Sequence, residues 1–101
     1  MTVDAYLAAL PATVRPVAEA LRDVLDSVLT RADGRLRRGH PVWTIDGAPV
    51  AGLRAYRGHV TFLVWRGPRV DTAVRVRRTA DVPLAMFTAL LAEAETGLLA
   101  A

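Results

Sequence analysis

The residues of this chain with the most chemical potential are two histidines, two tryptophans and thirteen basic side chains, all of them arginine. His40 and His59 can act as acid–base groups or as ligands near neutral pH. Each arginine is a planar, permanently charged fork that suits carboxylates and phosphates, and each tryptophan offers a flat apolar surface. Together these residue types predict recognition of an anionic or aromatic partner.

The residue types present in the sequence give little support to covalent catalysis. The chain contains no cysteine, which excludes disulfides and thiol nucleophiles. It contains no lysine either, which excludes Schiff-base chemistry. Ser27 is the only serine and falls in a predicted helix, without a base and an orienting group at a recognisable spacing. We therefore nominate no catalytic residue and predict that the protein is not an enzyme.

A metal site is also poorly supported. Asp46 is the only carboxylate between the two histidines, and no zinc-type histidine spacing occurs. We predict no metal ligand and no cofactor. Iron binding is kept as an alternative, because hard oxygen ligands occur in the first third of the chain, although Arg15 and Arg22 interrupt them. These carboxylates are Asp4, Glu19, Asp23, Asp26 and Asp33.

Length and charge describe the chain as a whole. We interpret residues 1–101 as one domain, because 101 residues make a single core. Residues 34–80 carry ten arginines against two aspartates, a net charge of +8, between flanks of −2 and −3. Neither a signal peptide nor an apolar run long enough to span a membrane is recognisable. We expect a cytoplasmic protein with no membrane partner.

Helical periodicity occurs at both ends of the chain. Thr2 is a suitable cap for a short helix that Pro11 ends. A second helix is predicted from Thr13 to Ala32, with an apolar stripe that includes Leu21. A closing helix is predicted after Asp81, and its apolar stripe is Leu84, Phe87, Leu90, Leu91 and Ala94.

The middle of the chain alternates with a period of two. Asp46-Gly47 and Arg57-Gly58 indicate hairpin turns between predicted strands at 42–45, 48–56 and 59–65. A last strand is predicted at 74–77, with its valines inward and Arg75 and Arg77 outward. Strands between helices predict an α+β fold in which an antiparallel sheet is covered by helices on one face.

The uncovered sheet face is the predicted functional surface. Arginine interleaved with Trp65 and Tyr56 suits a small anionic or aromatic ligand, and it also suits a homodimer interface. Nucleic acid, held by stacking and phosphate contacts, is the less favoured alternative. The candidate ligand-binding residues are His40, Trp43, Tyr56, Arg57, His59, Trp65, Arg75 and Arg77.

Several stretches carry a family resemblance. The opening at 2–11, the run Gly39-His40-Pro41-Val42-Trp43, the later Asp46-Gly47 and the hairpin at 55–60 resemble the YdhG-like bacterial proteins, a family of unknown function. The resemblance implies a frataxin-like two-layer α/β sandwich, and one family member is described as an iron chaperone. Arg57 stands where the family usually has lysine. The chain is also shorter than many relatives between Val70 and Val74.

Overall fold

The computed structural model describes residues 2–81 together with residues 85, 88, 89, 91 and 92. Two helices precede five strands, and the predicted α+β class with an antiparallel sheet is confirmed. Within these residues, no helix is long and apolar enough to cross a membrane. The elements are α1 (Val3–Ala8), α2 (Arg15–Val28), β1 (Asp33–Arg37), β2 (His40–Ile45), β3 (Ala48–Ala55), β4 (Val60–Arg66) and β5 (Arg69–Val76), followed by a 3-10 turn at Thr79–Asp81.

The two helices begin close to their predicted positions. The Thr2 hydroxyl accepts a hydrogen bond from the Ala5 N–H at 3.1 Å, which confirms the predicted cap of α1. Pro16 lies in the first turn of α2, where its missing N–H costs no helical hydrogen bond. This helix is shorter than predicted at both ends, since it begins at Arg15 and ends at Val28.

The apolar stripe of α2 packs against the sheet. Leu21 and Leu25 are fully buried, and they belong to one core cluster with residues of β2, β3, β4 and β5. Leu7 of α1 and Leu91 belong to the same cluster. Of the predicted closing stripe, Leu91 is thus buried, while Leu84, Phe87, Leu90 and Ala94 lie outside the described residues.

The five strands follow one another in space in their sequence order, β1-β2-β3-β4-β5, and every neighbouring pair is antiparallel. Two-residue turns join most of them. Arg38-Gly39 and Asp46-Gly47 have positive φ at both central positions, 53° and 86° in the first and 51° and 80° in the second. These are the angles of a type I′ turn, whose twist matches that of the strands it connects.

The last strand is longer than the sequence pattern indicates. We predicted it from position 74, but β5 begins at Arg69, directly after the Gly67-Pro68 turn, and ends at Val76. Its pairing with β4 shifts at Trp65, which leaves Asp71 as an extra residue in β5. Arg77 lies just beyond the strand.

Candidate functional site

The candidate site lies on the sheet face opposite the two helices, which we call the open face. Side chains alternate along a strand, so residues adjacent to core residues point to this face. Phe62 and Val60 of β4 are in the core, and Thr61 therefore faces away from it. The same alternation and the strand register assign to the open face Arg35, Arg37, His40, Val42, Gly52, Arg54, Leu63, Trp65, Ala73 and Arg75.

One line of these residues crosses all five strands, and we call it the cross-strand row. Arg37 pairs with His40, Arg54 pairs with Thr61, and Thr61 pairs in turn with Arg75. Continuing the Val42–Gly52 pair by two residues in each strand places His40 opposite Arg54. The row therefore brings three arginines, a histidine and a hydroxyl group together from residues that are distant in sequence.

A pocket of about 230 Å³ lies beside one end of the row, and we call it the His40 pocket. One wall is basic and the rest is apolar, with two prolines that hold the backbone stiffly on the far side. Such a combination of a flat apolar surface and a few directional donors is usual for small-molecule sites. Its lining residues are Arg37, Arg38, His40, Val42, Pro49, Trp65 and Pro68.

The apolar part of this pocket depends on Trp65 and Gly52. A Cβ built on Gly52 would lie 3.2 Å from Cζ3 of the Trp65 indole and 3.0 Å from the Pro41 carbonyl oxygen. The ring thus lies directly on the sheet backbone, where any larger residue would displace it. Val42 is only 2% exposed although it faces away from the helices, because other side chains of the open face cover it.

His40 forms the junction between the pocket and the row. Partial burial lowers the pKa of His40 below its usual 6.5, and the charges of Arg54 and Arg38 lower this pKa further. A hydrogen bond with the backbone of Arg38 acts in the opposite direction and is smaller in effect than burial. The imidazole is therefore neutral at pH 7, and the positive charge of the wall belongs to the arginines.

An aromatic stack lies further along the open face. The rings of Tyr56 and His59 are stacked with centroids 4.8 Å apart and planes inclined by 16°. The Arg54 guanidinium carbon lies 5.5 Å from the centroid of the Tyr56 ring, a cation–π distance. The Tyr56 N–H also donates to the His59 carbonyl at 2.8 Å, which closes the hairpin between β3 and β4. These contacts hold Arg54 in place.

Several arginines of the site have no carboxylate partner among the described residues. In the part of the chain that the structure describes, Arg37, Arg38, Arg54 and Arg75 take part in no ion pair. Other arginines are paired: Arg22 with Asp4, Arg35 with Asp33, Arg66 with Asp71 and Arg78 with Asp81. The open face consequently carries unneutralised positive charge around the His40 pocket.

The predicted site residues other than Trp43 fall into four groups. His40 and Trp65 meet in the pocket, and Tyr56 and His59 meet in the aromatic stack. Arg75 lies in the cross-strand row. The exposed residues Arg57 and Arg77 lie beyond strand ends, the first in the turn between β3 and β4 and the second after β5.

Trp43 is a correction to the sequence prediction. Its side chain lies on the helix-covered face and is only 1% exposed, so it cannot line the open face. The indole Nε1–H donates to the Asp26 carboxylate of α2 at 2.9 Å. A Cβ on Gly34 would lie 3.1 Å from the ring, so this glycine makes room for the indole. Trp43 ties β2 to α2 and to β1.

The sequence prediction did not include four of the residues that line the pocket. Arg37, Arg38, Pro49 and Pro68 line it, yet none of them was among the predicted site residues. The available signal was the alternation in Gly34–Arg38, which marks a first strand with arginines on one face. Proline positions at strand starts gave no sign that two separate hairpins converge on one pocket.

The acidic side chains in the described part of the chain are engaged with other residues or lie apart from one another. Asp4 is paired with Arg22, Asp26 accepts the indole hydrogen bond, and Asp33 is paired with Arg35. Among the described residues, no group of three or more histidine, aspartate or glutamate side chains is placed to hold a metal ion.

Comparison with known proteins gives no match to a protein-family model, to a curated protein or to a solved structure. The fold and the site on their own define an α+β domain with a basic, partly aromatic open face.

Proposed function

We propose that this chain is a non-enzymatic binding domain whose His40 pocket takes a small organic anion with a planar apolar group. The observation that carries the proposal is the placement of Arg37 and Arg38, which form no ion pair among the described residues, beside the Trp65 indole in one pocket. The planar group would lie against Trp65, and its acidic group would accept hydrogen bonds from Arg37 and Arg38. Charge-assisted hydrogen bonds of this kind are about twice as strong as neutral ones.

The charge pattern favours a ligand over a second copy of the chain. Two open faces brought together would bury Arg37, Arg54 and Arg75 of both copies in one interface, and these arginines form no ion pair with the described residues of their own chain. Like charges placed together in a desolvated interface weaken binding by about several kcal/mol.

The family resemblance is likewise part of the proposal. We propose that the chain is a YdhG-like protein with a frataxin-like sandwich. In support, Thr2 caps α1, Asp46-Gly47 forms a tight turn, and Leu91 is buried in the core cluster that the two helices share with the sheet. A crystal structure in which the C-terminal helix packs on the open face would contradict the sandwich.

The binding proposal is tested with aryl carboxylates. We would titrate the protein with 2-naphthoate and with its neutral amide by calorimetry, at roughly 50 and 200 mM salt. We expect the carboxylate to bind at least about tenfold more tightly than the amide, because only the anion can accept charge-assisted bonds. Trp65→Ala should weaken both ligands, whereas Arg69→Gln, a matched loss of charge outside the pocket, should weaken neither.

Two further measurements distinguish the alternatives. Light scattering at both salt concentrations should give a monomer, and native mass spectrometry of the purified protein should show whether a small anion is retained. Oligonucleotide binding, followed by anisotropy, should be weak and should vanish at the higher salt, because each phosphate contact releases a counterion. Equal affinity for carboxylate and amide, or a salt-resistant dimer lost in Trp65→Ala, would overturn the proposal.

A further inference from the structure

A second basic cluster, which shares no residue with the lining of the His40 pocket, lies on the open face around Thr61 of β4. Arg54 and Arg75 are the direct cross-strand neighbours of Thr61 on either side. Adjacent strands are about 4.8 Å apart, so the two arginine backbones stand roughly 10 Å apart with the hydroxyl between them. Both arginine residues are exposed and Thr61 is partly buried, so the cluster is accessible from solution.

One arginine of the cluster is already held in position. The Arg54 guanidinium carbon lies 5.5 Å from the centroid of the Tyr56 ring, and the Tyr56 ring stacks on the His59 ring. A guanidinium over a ring face keeps its N–H edges free for an anion. The entropy that a flexible arginine normally loses on binding is therefore partly lost before the ligand arrives.

The donor set of this cluster differs from that of an ordinary ion pair. Arg54 and Arg75 form no ion pair within the part of the chain described, so neither fork is occupied by a carboxylate. Two arginines on the strands at either side of a hydroxyl-bearing residue suit an acceptor whose oxygens point in several directions. A phosphate group has three such terminal oxygens, whereas the two oxygens of a carboxylate lie in one plane with its carbon.

We infer that Arg54, Thr61 and Arg75 form an oxyanion site, separate from the His40 pocket, that is suited to the phosphate group of a phosphate monoester. The site does not depend on the proposed pocket ligand, because Trp65 takes no part in it. This site assigns a role to the part of the cross-strand row that lies on β3, β4 and β5, which takes no part in the proposed function.

The test uses inorganic phosphate and acetate as separate probes, at constant ionic strength balanced with chloride. Amide resonances of Thr61 and Arg75 are followed by nuclear magnetic resonance as each anion is added. We expect saturable shifts with phosphate and at least threefold weaker binding of acetate. In Arg75→Gln and Arg54→Gln the phosphate affinity should fall about tenfold, a change of about 1.4 kcal/mol. Thr61→Val keeps the shape and the strand preference of the side chain, and it should weaken phosphate at least threefold.

Arg69→Gln is the matched control, because it removes one positive charge from the same strand outside the cluster. It should leave the phosphate affinity unchanged, and so should Trp65→Ala, which tests the pocket alone. An equal loss in Arg69→Gln and Arg75→Gln would mean diffuse attraction and would overturn the site. Equal affinities for acetate and phosphate, or shifts that do not saturate, would overturn it as well.

Discussion

Replacing Gly52 with alanine is the sharpest test of how the His40 pocket is built. Gly52 lies in the middle of β3, on the open face, where Trp65 rests on the backbone. The new methyl group would lie 3.0 Å from the Pro41 carbonyl oxygen and 3.2 Å from the indole. The oxygen belongs to the neighbouring strand and has little freedom, so the indole is the group that moves.

Two opposing contributions determine how much Gly52→Ala changes the free energy of unfolding. Overpacking of this kind costs about 1–3 kcal/mol. Alanine also reduces the conformational entropy of the unfolded chain. This stabilises the folded protein by about 0.4–1 kcal/mol where the backbone conformation suits alanine, as it does at this strand position. We expect a net loss of about 1–2 kcal/mol, which for a chain of this size lowers Tm by roughly 5–15 °C.

The assay combines thermal unfolding with the indole N–H resonances of the two tryptophans. In Gly52→Ala the Trp65 signal should shift, while the Trp43 signal should stay in place because its bond to Asp26 is on the other face. Gly58→Ala is the matched control, since a Cβ at this turn residue meets nothing within 4 Å. A Gly52→Ala protein as stable as the control, with an unmoved Trp65 resonance, would refute the packing of the indole on the sheet.

Three other predictions concern the core, protonation and iron. Leu21→Ala should cost about 2–5 kcal/mol in urea unfolding, because a fully buried side chain leaves a cavity, and a loss below about 0.5 kcal/mol would contradict the architecture. Burial lowers the pKa of His40 in the folded chain, so the unfolded chain binds more protons once the pH falls below about 6.5, and stability drops. His40→Gln should remove that part of the drop between about pH 7.5 and 5.5, and an equal drop in both proteins would contradict it. Fe²⁺ should show no micromolar binding by calorimetry, because Asp26 is engaged by Trp43 and the nearby carboxylates are dispersed. Tight binding that is lost on changing Asp23 and Asp26 to asparagine would revive the iron alternative.

Much of the fold could be predicted because its turns and stripes are local. Asp46-Gly47 predicts a tight hairpin from two residues alone, and the stripe that includes Leu21 predicts which side of α2 is buried. Such signals act over a few residues, so they survive without tertiary information. The helix ends were less predictable, because Thr13 lies in a turn before α2 and its hydroxyl makes no cap contact.

The start of β5 shows where local patterns fail. Asp71 and Thr72 interrupt the alternation that would identify a strand, and the sequence prediction therefore began at Val74. The structure pairs Val64 with Thr72 and Trp65 with Val70, which leaves Asp71 between them as an extra residue of β5. A bulge disturbs the period of two, and only the partner strand reveals that the segment is still paired.

Trp43 and Val42 illustrate a second limit. They are adjacent in β2, both apolar and both almost fully buried, so their alternation alone gave no choice of face. The choice is made elsewhere. Gly34 and Asp26 provide space and a hydrogen-bond acceptor for the indole on the helix side, while Trp65 shields the open face. The orientation of the Trp43 side chain is therefore determined by residues from three distant segments of the chain.

The cross-strand row makes the candidate site inseparable from the strand register. Arg37, His40, Arg54, Thr61 and Arg75 belong to five different strands, and they align only because every hairpin has its present pairing. A one-residue slip of β1, β3 or β5 against its neighbour would turn the arginine of that strand toward the core, where burying an unpaired charge is costly. Burial of the apolar face therefore enforces the register, and the register in turn assembles the cations on the open face. The packing of the helices against one side of the sheet thus determines the chemistry available on the other.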